Sequence, residues 1–180
     1  MEGKVSPAKS GLHLGVIFGV VMILESVTAY IIGLQSLANT PFGLVINFLN
    51  YLILPILLIY LGCNNYKNKI NHGFVSLSEC LKIGVSILFL AGLIYAVFNV
   101  IFNLIFPEYA AEMMAFAKEE MLRKNPDMSS EQIEMGVSMM QKFSNPYILL
   151  AIIPLMYAFI GLLYSLIIGA IVKKDQPQSL

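Results

Sequence analysis

The sequence predicts an all-α polytopic membrane protein, four transmembrane helices plus an amphipathic helical hairpin in the third loop. Three observations predict it. First, four long apolar stretches cover roughly 12–34, 42–62, 80–106 and 147–172. Each exceeds the ~20 residues that a helix rising ~1.5 Å per residue needs to cross ~30 Å of hydrocarbon. Second, mean hydropathy is +0.77. Only 12% of residues are charged, about half the share of a soluble domain. Third, the apolar residues come in blocks. A helix apolar on every face belongs in a membrane or a large core, and 180 residues cannot build a core that buries four of them. A β-barrel would alternate in polarity over segments of ~10 residues, and no such pattern is present. The whole chain, 1–180, reads as one membrane domain.

The first stretch follows Lys4 and Lys9 and contains Glu25. Ser36-Leu37-Ala38 loosely resembles a cleavage site. Yet the apolar run outlasts the ~7–15 residues of a signal core, so a retained helix is expected. The second stretch is uncharged, with Pro55 inside it. The third opens with Lys82 near its end, where a lysine can reach the interface. The fourth carries Pro154. Both prolines should kink their helices.

Loop charge sets the orientation. Lys4 and Lys9 precede the first span, Lys67 and Lys69 lie between the second and third, and Lys173 and Lys174 follow the fourth. The positive-inside rule puts both termini and the middle loop in the cytoplasm, and residues 107–146 outside. Lys118, Arg123, Lys124 and Lys142 in that outer loop pull the other way, but three separate segments outweigh them. Cys63 and Cys80 then flank the cytoplasmic loop and should be reduced thiols. His72 alone stands near them, which is too few ligands for zinc.

The outer loop should fold as two helices. Residues 108–124 carry an apolar set at Tyr109, Met113, Phe116, Ala117 and Met121, ended by Asn125-Pro126. Ser129 with Gln132 forms a capping-box pattern. Ile133, Val137 and Met140 then repeat at helical spacing to about residue 143.

Candidate site residues are polar groups inside the spans. Glu25 lies roughly 13 Å below the outer end of its helix at ~1.5 Å per residue. Asn47 and Asn50 (i, i+3), Asn99 with Asn103 (i, i+4) and Tyr157 fall in the same outer-half layer, with Thr28 and Tyr30 extending it. An intramembrane carboxyl is a functional candidate by default. Such a pocket could bind a cation, accept a proton or meet a basic ligand. The plainer reading is interhelical glue, at roughly 0.6–2 kcal/mol per hydrogen bond. The residues leave both open.

Gly11, Gly15 and Gly19 form a small-residue stripe, as do Gly161, Ser165 and Gly169. Such stripes let helices approach closely, so the two are expected to pack against each other within the bundle, or one of them in a homo-oligomer. Seven of the ten methionines lie in the outer loop. Thioethers are soft Cu(I) ligands, and Met135 with Met139 could bring two together. With no His or Cys beside them, packing is the favoured reading, and no metal is expected. No phosphate loop, zinc-protease or nucleophile-elbow motif occurs, so neither catalytic residues nor a cofactor are expected. Formal net charge is zero, leaving no basic footprint for nucleic acid.

Three segments carry a family resemblance: Asn65-Tyr66-Lys67 leading to Ser76-Leu77, the Ile105-Phe106-Pro107 exit into an acidic loop, and the closing Ser165-Leu166-Ile167-Ile168 run ending in Lys173-Lys174. The chain resembles the domain of unknown function 4199 family. That resemblance implies a small four-helix protein of the bacterial inner membrane and carries no activity with it. The first functional expectation is therefore a non-enzymatic accessory component, touching a membrane or periplasmic protein through 107–146. The alternative is a small transporter or channel subunit that uses Glu25 and the Asn layer and would need to oligomerise.

Overall fold

The computed structural model describes residues 6–33 and 41–176, apart from the Phe42 side chain. Among them there is no strand. A short α1 (Pro7–Ser10) leads into α2 (Leu12–Ile32). Next, α3 (Pro41–Phe48) runs through a π-turn at Leu49–Ile53 into α4 (Leu54–Asn65), which closes on a second π-turn at Tyr66–Ile70. Then come α5 (Leu77–Ile105), α6 (Pro107–Lys124), α7 (Ser130–Phe143) and α8 (Pro146–Val172). Four spans are long and apolar enough to cross a membrane: Leu12–Ile32, Gly43–Ile70, Leu77–Ile105 and Pro146–Val172. Lys4, Leu34 and the Ser36-Leu37-Ala38 segment lie outside the described residues.

Two span boundaries differ from the hydropathy reading. The second span continues past Gly62 to Ile70, because the helical register widens at Tyr66 instead of ending. The third begins at Leu77, ahead of the expected Cys80. Ser76 caps it: its hydroxyl accepts the Glu79 N–H at 3.3 Å, while the Glu79 carboxylate accepts the Ser76 N–H at 2.8 Å. That reciprocal pair satisfies two donors that a helix start would otherwise leave unpaired.

With the Lys67–Lys69 end of the bundle taken as inner, the outer loop is the expected hairpin. α6 ends at Lys124, before Asn125-Pro126. Ser129 and Gln132 exchange bonds at 3.3 and 3.0 Å to open α7. Met121 packs over Gly136 and joins the two helices. Arg123 and Lys124 beside Glu120 hold its carboxyl below the ordinary carboxylate range, but these charges are exposed and contribute little.

The bundle is organised around α5, which packs most extensively on α8, then on α2, and also against α4. The core fills the inner half: Phe18, Ile59, Ile83, Ile87, Leu88 and Ala91 are buried. Here the structure corrects the expected pairing of the small-residue stripes, which do not meet. The Gly11, Gly15 and Gly19 stripe faces Ile83, Ile87, Leu90 and Ile94 of α5; the Gly161, Ser165 and Gly169 stripe faces Gly84, Leu88 and Cys80 on another side of the same helix. The reason is geometric. A small-residue stripe admits a neighbouring backbone, and α5 offers backbone to both. A Cβ added at Gly15 would sit 2.7 Å from the Ile87 carbonyl oxygen, and one at Gly161 2.9 Å from that of Gly84.

The inner end is tied by backbone. Val75 and Lys174 exchange hydrogen bonds at 3.0 and 2.8 Å. The Lys67 ammonium donates to the Val172 carbonyl at 2.9 Å, on the electronegative end of α8. His72 and Gly73 take positive φ, 52° and 88°, to turn the loop back toward this tie. Cys63 and Cys80 are both free and buried nearby, the Cys63 thiol 4.0 Å from the Cys80 carbonyl.

Replacing Gly161 by Leu should therefore cost about 1–3 kcal/mol or more through overpacking, lowering the thermal unfolding midpoint of the detergent-solubilised protein. Ala170→Leu, on the exposed side of α8, should leave the midpoint unchanged. Equal behaviour of the two variants would refute the α5–α8 seam.

Candidate polar site in the outer half of the bundle

The site begins with a backbone irregularity. Leu49–Ile53 is a π-turn, and the Leu54 N–H reaches back five residues to the Leu49 carbonyl. Such turns are rare and commonly mark functional positions. Pro55 follows at once and has no N–H, so the carbonyl one α-turn earlier, that of Tyr51, loses its ordinary donor. The Tyr164 hydroxyl of α8 supplies one at 2.7 Å. A helix-breaking residue is thus accommodated in lipid by a neighbouring helix.

The π-turn carries Asn50. Its side-chain amide donates to Oε2 of Glu25 on α2 at 2.5 Å, while its own Oδ1 is buried without a hydrogen-bond partner. Around this pair the helices gather phenols. Tyr157 of α8 is buried, stacks on Tyr51 at 6.2 Å between ring centroids and meets Phe18 edge-on at 6.0 Å. Its hydroxyl contacts Tyr51 and lies within electrostatic range of Glu25 and Tyr95. Tyr95 of α5 meets the side chains of Ser26 and Asn99 through its hydroxyl, also within electrostatic range of Glu25. Gly92, one turn before Ala96, lets α8 approach here. A Cβ there would lie 3.1 Å from the Pro154 Cα and 3.0 Å from the Tyr157 Cβ.

The remaining candidates do not join Glu25 directly. Asn47 is exposed and donates to the Gly43 carbonyl of its own helix at 2.9 Å. Thr28 does likewise to Leu24 at 2.7 Å. Asn103 donates to the Asn99 side chain at 3.0 Å and to its carbonyl at 2.7 Å. Tyr30 packs in an aromatic group with Phe102, Phe106 and Tyr109, where burial pushes the Tyr109 phenol up. Only Asn50, of the four expected asparagines, touches the carboxyl. The reason is local: short amides bond readily to carbonyls one turn back on their own helix.

Two openings flank this group. A cleft of about 250 Å³ lies between α2 and α3, walled by Val21, Leu24, Val45, Ile46 and Leu49, with Glu25 and Thr28 in it. A groove of about 380 Å³ lies under the outer hairpin, with Asn99, Asn103 and Tyr109 beside Met113, Met114 and Met140. Asn99 thus stands between the groove and Tyr95, and Tyr95 between Asn99 and the Glu25 region.

Tyr51, Tyr95 and Ser26 were missed by reading the sequence. Their signal was spacing: Tyr95 precedes Asn99 by one turn, and Tyr51 adjoins Asn50. As a test of the contact itself, Glu25→Leu should strand the Asn50 amide and cost about 1–3 kcal/mol. Glu25→Gln, which keeps an acceptor oxygen, should cost much less in the same unfolding assay. Equal losses would refute the Asn50 bond.

Comparison with curated proteins and with solved structures finds no match. Among families, the one described as "Protein of unknown function (DUF4199)" matches residues 13–174, from the first turn of α2 to the inner tie at Lys174, and so takes in the four spans but for Leu12, the hairpin and every polar candidate residue. The chain belongs to this family.

Proposed function

We propose that the protein is a non-enzymatic interaction component of the bacterial inner membrane. Both termini and the Lys67–Lys69 loop would face the cytoplasm, with the α6–α7 hairpin presented outside. One observation carries the reading. α7 turns Ile133, Gly136, Val137 and Met140 inward, yet leaves a second apolar stripe, Met135, Met139 and Phe143, exposed beyond the spans. An apolar stripe of adaptable methionines outside the hydrocarbon marks a surface for a partner. The polar group at Glu25 supports a non-catalytic role, since the carboxyl meets an amide and phenols rather than a base that could activate a nucleophile.

A photoactivatable residue at 135, 139 or 143 should give the same discrete protein adduct in living cells. Met139→Glu, in a chain that still folds, should abolish it. Lipid adducts alone at all three positions would sink the reading. Reporter fusions at residues 70 and 180 should signal from the cytoplasm and one at 125 from outside. An external signal at 70 would overturn the orientation.

A second reading is favoured by a separate observation, the buried and unpaired Asn50 Oδ1 beside Glu25. It makes Glu25 a solute or proton site, as a small transporter subunit would need. The inner half is filled by packed apolar side chains, so such a site would communicate outward and sideways. Glu25→Gln should then abolish the cellular phenotype of a fully folded protein, whereas glue would tolerate it.

A further inference from the structure

The cleft between α2 and α3 has three properties that together specify a ligand. Its walls, Val21, Leu24, Val45, Ile46 and Leu49, are all aliphatic. Val45 and Leu24 are exposed on the side of the bundle, so the cleft opens into the bilayer and not into water. Its polar groups are acceptors. The Thr28 hydroxyl spends its hydrogen on the Leu24 carbonyl and leaves only oxygen lone pairs. The Asn50 amide is already committed to one Glu25 oxygen. Glu25 lines the cleft with little polar surface, one carboxyl oxygen lying outside the Asn50 bond, and it has no counter-ion among the described residues. The other formal charge within the four apolar stretches, Lys82, lies at the far inner end, on the first turns of α5.

An apolar, side-opening cleft with a carboxylate at its end selects an apolar body bearing one cationic hydrogen-bond donor. An apolar anion would set acceptor against acceptor. A neutral hydrocarbon would leave the acceptors unpaired. We propose that this cleft binds a membrane-soluble organic cation, a compact apolar amine in its ammonium form, with Glu25 as counter-ion and Thr28 as second acceptor. The ion pair forms where little water competes, and a charge-assisted hydrogen bond is strong there. This inference rests on the second reading above, of Glu25 as a site, and is independent of any partner at the hairpin.

The test uses the full chain in lipid nanodiscs with 1-adamantanamine as probe, beside 1-adamantanol and 1-adamantanecarboxylate. Dicyclohexylcarbodiimide, itself lipid-soluble, should modify Glu25, as read by mass spectrometry. The amine should slow that modification at least about fivefold, and the alcohol and carboxylate should not. Calorimetric binding of the amine should weaken about tenfold or more in Glu25→Gln, equivalent to ~1.4 kcal/mol. Val45→Trp, which fills the cleft from an exposed position, should abolish amine binding while the unfolding midpoint holds. Should Glu25→Gln fail to fold, the Val45→Trp comparison decides alone. Three results would overturn the proposal: no protection by the amine, equal protection by the carboxylate, or undiminished binding in both variants. A folded Glu25→Gln protein that loses its cellular phenotype, while the wild type ignores the amine, would leave the polar site standing and sink the cation.

Discussion

Everything in this bundle depends on how closely α2 and α8 can approach α5. In lipid, the tails are as apolar as the side chains, so helices gain nothing by merely hiding leucine from their surroundings. They gain by contact. The glycines of α2 and α8, with Gly84 and Gly92 of α5, let carbonyl groups and Cα atoms come within van der Waals reach across both seams. Dispersion from many such atom pairs is small singly and large together. α5 is thus the common wall of two interfaces.

The same packing divides the molecule into an inner and an outer half. Inside, small residues and the Phe18, Ile59 and Ile87 core pack closely, with Ser10, Asn71 and Ser165 buried among them, and the loop ends are tied by backbone bonds between Val75 and Lys174. Toward the other end a cleft separates α3 from α2 beside Glu25, and Asn50 and the three tyrosines gather on the bundle side of that carboxyl. The two prolines belong to this division. Pro55 frees a carbonyl that Tyr164 takes up across the helix boundary, and Pro154 lies where Gly92 receives it. Each proline, which would weaken an isolated helix, is here accommodated by a neighbouring helix.

Much of this was legible from residues alone, because hydropathy blocks and capping patterns are local signals. Asn125-Pro126 and the Ser129–Gln132 box placed the hairpin to within a residue. The equivalent Ser76–Glu79 box was overlooked, since it precedes the apolar block by which the third span was recognised. The π-turns were not legible. A bond to the fifth residue has no residue signature, and Pro55 suggested only a kink. The glycine stripes announced close approach but not to which helix, because a missing side chain carries no information about its neighbour. The candidate site divides similarly. Glu25 stands out because its charge is costly at that depth, and Asn50 because it lies at the same level. Tyr95 and Tyr51 do not stand out, since a phenol in a hydrophobic run reads as one more apolar residue until the fold shows where its oxygen points.

The reliance of α5 on α8 has a consequence for biogenesis. When the third span enters the bilayer, its Gly84 and Gly92 face has no partner, and the whole hairpin must be made before α8 arrives to cover it. During that interval a membrane helix with a bare small-residue groove is displayed to every other helix in the vicinity. The nascent chain is therefore most exposed to mispairing, and to recognition by membrane proteases, while the loop between its third and fourth spans is being made. The bond from Val75 to Lys174 would close that interval, since it forms only once the chain has returned through α8 to the start of α5.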